Sequence, residues 1–92
     1  MPTKLHVLFY EYVDDALERR QPVRPAHLEL IERYHADGRL TMAGAYGDPP
    51  HGGLLVFRDA ADAEAFAHAD PYAEAGVVAR WRVEPWTVVT PE

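Results

Sequence analysis

No cysteine occurs among the 92 residues, which excludes disulfides, thiolate nucleophiles, cysteine zinc sites and iron–sulfur clusters. Positive charge is also scarce: 9 Lys and Arg stand against 15 Asp and Glu, a formal net charge of −6. Phosphate binding needs clustered Lys and Arg, and here the Arg residues are scattered among more numerous carboxylates. No nucleic-acid partner and no anionic membrane surface are therefore expected. No apolar run is long enough for a membrane span or a signal peptide, and Met1-Pro2-Thr3-Lys4 leads straight into a strand-like segment, so cytoplasmic residence is the expectation. Low-complexity tracts and linkers are absent too.

What is present is a composition 48% apolar, which fits one globular domain over residues 1–92. A domain this small buries only roughly 60–65% of the surface that its unfolded chain exposes, which favours pairing with a second copy. The elements read β-α-β followed by β-α-β. Leu5 to Tyr12 alternates Leu5, Val7 and Phe9 with His6, Leu8, Tyr10 and Tyr12, a strand apolar on both faces. A polar connection from Asp14 to Arg20 follows, with room for one helical turn. Pro22 and Pro25 bias the residues before them away from helix, which places Arg24 outside the first helix and Pro25 inside its first turn.

From Pro25 to about Ala36, His27, Leu30, Ile31 and Tyr34 follow the spacing of a buried helical stripe, and Asp37-Gly38 ends the helix. Arg39 to Tyr46 and Gly53 to Phe57 read as a hairpin around Gly47-Asp48-Pro49-Pro50. A second helix starts after Asp59 or Asp62, turns Ala63, Phe66 and Ala67 inward, and reaches Asp70 before Pro71. Val77 to Val89 supplies the last strand, with Pro85 marking an edge position or a bulge.

This order is satisfied by an α+β, ferredoxin-like βαββαβ fold with two helices on one face of a four-stranded antiparallel sheet. The helices then run in opposite directions, so the start of the first lies beside the end of the second. His27 and Asp70, 43 positions apart, meet there. Two helices cover one sheet face, and Leu8, Tyr10 and Tyr12 suggest that the other is covered by a second subunit, a barrel-like dimer with clefts at the helix ends.

The segments Arg24-Pro25-Ala26-His27-Leu28, Gly38, Ala43-Gly44, Asp62 to Ala67, Asp70-Pro71-Tyr72 and Ala75-Gly76 together resemble the YciI-like (YCII-related) family over almost the whole chain. The resemblance implies a dimeric ferredoxin-like fold similar to that of muconolactone isomerase, and a His-Asp dyad as the active site, which maps to His27 and Asp70. One family member removes chloride from a chlorinated hydroquinone, and that substrate does not transfer by resemblance. The connection from Asp14 to Arg20 is the part least like the family pattern, and the loop from Tyr46 to Gly52, rich in Pro and Gly, can reshape a pocket.

The resulting expectation is a cofactor-independent lyase or isomerase that acts on a small oxidised ring, a lactone or an intermediate of aromatic degradation. His27 is the general base and Asp70 orients it. Arg24 and Tyr72 are the candidate substrate-binding residues, Arg24 for a carboxylate or enolate oxygen. Each has a plainer alternative: a histidine on an inward helical face is commonly structural, Asp70-Pro71 is the expected N-cap and N1 pair of a short helix, Arg24 is a solvated charge, and Tyr72 is packing. His6, His35, His51 and His68 lack metal-ligand spacing, and no metal is expected. The competing reading is a non-catalytic small-molecule-binding or protein-interaction dimer.

Overall fold

The computed structural model describes residues 3–90. Met1 and Pro2, which head the expected entry into the first strand, lie outside them. In chain order the elements are β1 (Thr3–Tyr12), a one-turn helix α1 (Ala16–Arg19), a 3-10 turn (Gln21–Val23), α2 (Arg24–Ala36), β2 (Leu40–Tyr46), β3 (Gly52–Phe57), α3 (Ala60–Ala69), a one-turn helix α4 (Pro71–Glu74) and β4 (Val78–Val88). The strands form one antiparallel sheet in the order β2-β3-β1-β4, the ferredoxin-like arrangement. β1 is central, which is why it is apolar on both faces. Pro85 lies on β4, an edge strand that tolerates a residue without an N–H.

The main core lies between the sheet and helices α2 and α3. Leu8, Tyr10, Leu55 and Phe57 from the strands meet Leu30, Tyr34, Ala63, Phe66 and Ala67 from the helices. Tyr34, Phe57 and Phe66 pack edge-on or tilted with centroids 5.1 to 6.1 Å apart, and pairs of this kind contribute about 0.5–1.5 kcal/mol beyond their buried area. Leu5, Val7 and Val56 form a separate cluster on the opposite face, flanked by Phe9 and Val88, with no helical residue in it.

Here the structure corrects an expectation: Leu8 and Tyr10 face the helices, and Leu5, Val7 and Phe9 face away. Alternation in a strand separates two faces without saying which one the helices cover. The choice was made by the partners available, since the Tyr10 hydroxyl finds a buried acceptor only on the helical side.

Helix α2 begins one residue earlier than expected, at Arg24, because the 3-10 turn before it already has helical backbone at Arg24 (φ −59°, ψ −44°). Pro25 sits in its first turn, where a missing N–H costs nothing. Gly38, at φ +81°, takes the left-handed conformation just past the Asp37 C-cap. Helix α3 stops at Asp70, whose extended backbone (φ −69°, ψ 124°) follows from the proline after it. No helix among the described residues is long and apolar enough to cross a membrane.

Candidate active site

Pro71 sets the site in motion. By forcing Asp70 out of the helix it turns the Asp70 carboxylate into the N-cap of α4, accepting from the Tyr72 backbone N–H at 3.1 Å. The same oxygen, Oδ1, lies 2.7 Å from His27 Nδ1, on the first turn of α2. Asp70 Oδ2 accepts from the hydroxyl of Tyr10, near the C-terminal end of β1, at 2.7 Å. A carboxylate 1% exposed thus receives three donors from three elements. Both roles set out for Asp70, the structural cap and the partner of His27, are occupied by one side chain.

These contacts define the imidazole. Because Asp70 already takes the Tyr10 proton donor on Oδ2 and a backbone N–H on Oδ1, it meets His27 as an acceptor, so Nδ1 carries a hydrogen and Nε2 holds the lone pair in the neutral ring. Nε2 has no hydrogen-bond partner among the described residues, and no unpartnered polar side-chain atom there is sealed from solvent. It therefore opens to the cavity that His27 lines. The ring is stacked on Tyr72, with centroids 3.5 Å apart and planes 6° from parallel, and Phe66 meets it edge-on at 6.4 Å.

That cavity, about 370 Å³, lies between the start of α2, the end of β1 and the backbone of β2 at Ala43 to Ala45. Tyr12, Arg20, Arg24 and Tyr72 line it with His27. Arg24 Nη1 donates to the Tyr72 hydroxyl at 3.2 Å, so both expected substrate-binding residues stand at this wall, joined to each other. A larger hollow of about 540 Å³ lies on the far face of the sheet, where Glu84 is the only charged lining residue among the described residues. It offers surface for packing rather than a constellation for chemistry.

Burial, the charge of Asp70 and their hydrogen bond all push the Tyr10 phenol far above its ordinary range, so it remains a donor. Tyr12 is pushed up to about 12, chiefly by burial and then by the neighbouring Tyr72, against a downward pull from Arg20 and Arg24. Among the described residues no three His, Cys, Asp or Glu side chains gather as a metal site. His35 is exposed and lies 3.0 Å from the Leu40 carbonyl, and exposed His68 meets Trp81 edge-on at 5.4 Å.

Sequence reasoning missed Tyr10, Tyr12 and Arg20. The signal for the two tyrosines was available: they share one strand face with Leu8, and a phenol on a face otherwise aliphatic needs a polar partner. Arg20 carried no such signal, because its direction depends on how the 3-10 turn joins α1 to α2.

Residues 5–87 match the family of YCII-related domains. Protein YciI of Escherichia coli O6:H1 is 36% identical over 96 residues, which cover 92% of this chain and 98% of that protein. An uncharacterized protein of Haemophilus influenzae is 34% identical over 95 residues, covering 91% of this chain and 97% of the relative. Among solved structures, the 5-chloro-2-hydroxyhydroquinone dehydrochlorinase of Burkholderia phenoliruptrix AC1100, in complex with 2,5-dihydroxybenzoquinone, superimposes with a TM-score of 0.74 at 22% identity, over 90% of this chain and 93% of that one. At that identity the likeness is one of fold.

Proposed function

The chain belongs to the family of YCII-related domains, and from that premise we propose that it is a cofactor-independent acid/base enzyme of the lyase or isomerase type. Its substrate is a small oxidised ring, a lactone or an intermediate of aromatic degradation. The observation that carries the reading is the 2.7 Å contact between His27 and Asp70 at the wall of a cavity of about 370 Å³, with Nε2 left over. Pockets of about 300–1,000 Å³ suit small molecules.

In this reading His27 Nε2 takes a proton from an activated C–H or O–H of the substrate. The electron pair left behind either shifts within the substrate, which then recovers the proton at another atom, or expels a leaving group while the proton passes to water. Asp70 holds the imidazolium through Nδ1–H and is itself held by Tyr10 and the Tyr72 N–H. Arg24 and Tyr72 form the substrate wall. The fold likeness to a dehydrochlorinase bound to a dihydroxyquinone supports the class of small ring as analogy, and the substrate itself is left to experiment.

The same reading has the 92 residues act as one domain in a homodimer, with the sheet faces opposite the helices packed together. Met42 at 65% exposure and Trp86 at 46% stand on that face beside the 540 Å³ hollow, an apolar surface that a second copy would cover.

The test is a screen of lactones, hydroxyquinones and halogenated aromatics for change in ultraviolet absorbance, with His27→Ala as control. Turnover by the wild-type chain and none by the variant is expected. Equal turnover by both proteins, or a ligand that binds and stays unchanged in both, would show a site that does not use His27 as a base.

A further inference from the structure

We infer that the cavity beside His27 selects a small organic anion, and that Arg20, Arg24 and the Tyr12 hydroxyl together hold its charged oxygen. The inference rests on the reading of this cavity as the substrate site, and to the expected role of Arg24 it adds Arg20 and Tyr12 and a selection for anions over neutral molecules.

The first support is an imbalance of pairing. Arg19, Arg39, Arg80 and Arg82 each have a carboxylate within 4.0 Å. Arg20, Arg24 and Arg33 have none among the described residues, although acidic side chains outnumber basic ones 15 to 9. Two of these three guanidinium groups, Arg20 and Arg24, line one cavity. Among the described residues no Asp or Glu lines it with them, and the nearby Asp70 has both oxygens already taken by Tyr10, His27 and the Tyr72 N–H.

The second support is preorganisation. Arg20 caps the end of α1 and Arg24 opens α2, four residues on, with the 3-10 turn between them. Arg24 is tethered to the Tyr72 hydroxyl at 3.2 Å. Both guanidinium charges act on the Tyr12 phenol, which places the three side chains in one electrostatic neighbourhood. The Tyr12 hydroxyl has no hydrogen-bond partner among the described residues and lines the same wall, so it is a further donor for an oxygen there. Guanidinium groups suit a carboxylate or an ionised hydroxyl conjugated to a ring because the planar fork can donate two parallel N–H bonds.

The experiment titrates two anion and neutral pairs into the full chain by calorimetry: benzoate against benzamide, and 2,5-dihydroxybenzoquinone, ionised at neutral pH, against its dimethyl ether. At least one anion is expected to bind about 10-fold or more tightly than its neutral counterpart, and to weaken as sodium chloride rises. Arg20→Gln and Arg24→Gln should each lower anion affinity about 10-fold, the size of one charge-assisted hydrogen bond, and leave the neutral compounds unaffected. Arg20→Lys and Arg24→Lys keep the charge without the fork, so they should retain the salt dependence with a smaller loss, even where a Gln variant folds poorly. His27→Gln should keep anion affinity within about 3-fold while turnover disappears. Arginine variants that lose affinity while His27→Gln still turns over would leave this inference standing and remove the acid/base reading. Equal affinity for anion and neutral, wild-type anion affinity in the double Gln variant, or no saturable anion binding at millimolar concentration would overturn it.

Discussion

The His27 imidazole lies flat on the Tyr72 ring at 3.5 Å while its Nδ1 reaches Asp70, only two residues before that tyrosine. The tripeptide Asp70-Pro71-Tyr72 therefore restrains the imidazole in two directions, along its plane by a hydrogen bond and across its plane by stacking. One proline accounts for both, since it ends α3, starts α4 and fixes the angle between the two side chains. An imidazole held this way keeps Nε2 aimed at one spot in the cavity.

Asp70→Asn keeps the size of the side chain and removes its charge. It should lower kcat about 10²–10⁴-fold, as should His27→Gln, with smaller effects on substrate affinity. Steady-state kinetics on the substrate found by screening gives the measurement. An Asp70→Asn protein with wild-type kcat would assign the pair to structure alone.

Tyr10→Phe leaves Asp70 Oδ2 buried without its 2.7 Å donor. An unsatisfied buried acceptor costs about 1–3 kcal/mol, which a shift in the urea midpoint at unchanged slope would report. No shift would mean that another donor replaces the hydroxyl.

Alkaline pH should destabilise the protein through the same tyrosines. Tyr10 and Tyr12 both ionise at higher pH when folded than when unfolded, so above about pH 10 the unfolded chain binds fewer protons and gains relative to the fold. The stability is fully present below pH 10 and falls as pH rises through about 12. Absorbance at 295 nm should show part of the five tyrosines ionising only with unfolding. A single titration of all five near the free value would contradict it.

Gly52→Ala tests the packing of the hairpin against β1. A Cβ there would press on the Tyr46 ring and come within 2.6 Å of the Tyr10 backbone carbonyl, which cannot swing aside. A loss of about 1–3 kcal/mol is expected by thermal or urea unfolding. An unaffected melting temperature would require β3 to shift outward.

Leu54→Glu places a charge on the sheet face opposite the helices, next to Met42 and Trp86. Sedimentation should show the wild-type chain as a dimer and this variant as a monomer, with helical content preserved. A wild-type monomer at micromolar concentration would remove the proposed packing of sheet on sheet.

Much of the fold was legible because its signals are local. Helix α2 was marked by Leu30, Ile31, Tyr34 and Gly38, the β2–β3 hairpin by Gly47 to Pro50, and the edge strand by Pro85. The meeting of His27 and Asp70 was legible as well, because antiparallel helices in this topology leave few alternatives. The contents of the two sheet faces were not. Leu8 and Tyr10 against Leu5 and Val7 are equally apolar sets, and the preference between them comes from what the helices present to each.

By itself, the order of residues determined the strands, the two long helices, their stops, and the presence of an imidazole and a carboxylate at adjoining ends. These follow from backbone preferences and periodic burial, which act over a few neighbours. Tertiary structure alone decided that Tyr10 donates to Asp70 and that Arg20 joins Arg24 and Tyr12 at one wall. Hydrogen-bond reach and shared cavities depend on where remote segments come to rest, and no spacing along the chain encodes that directly.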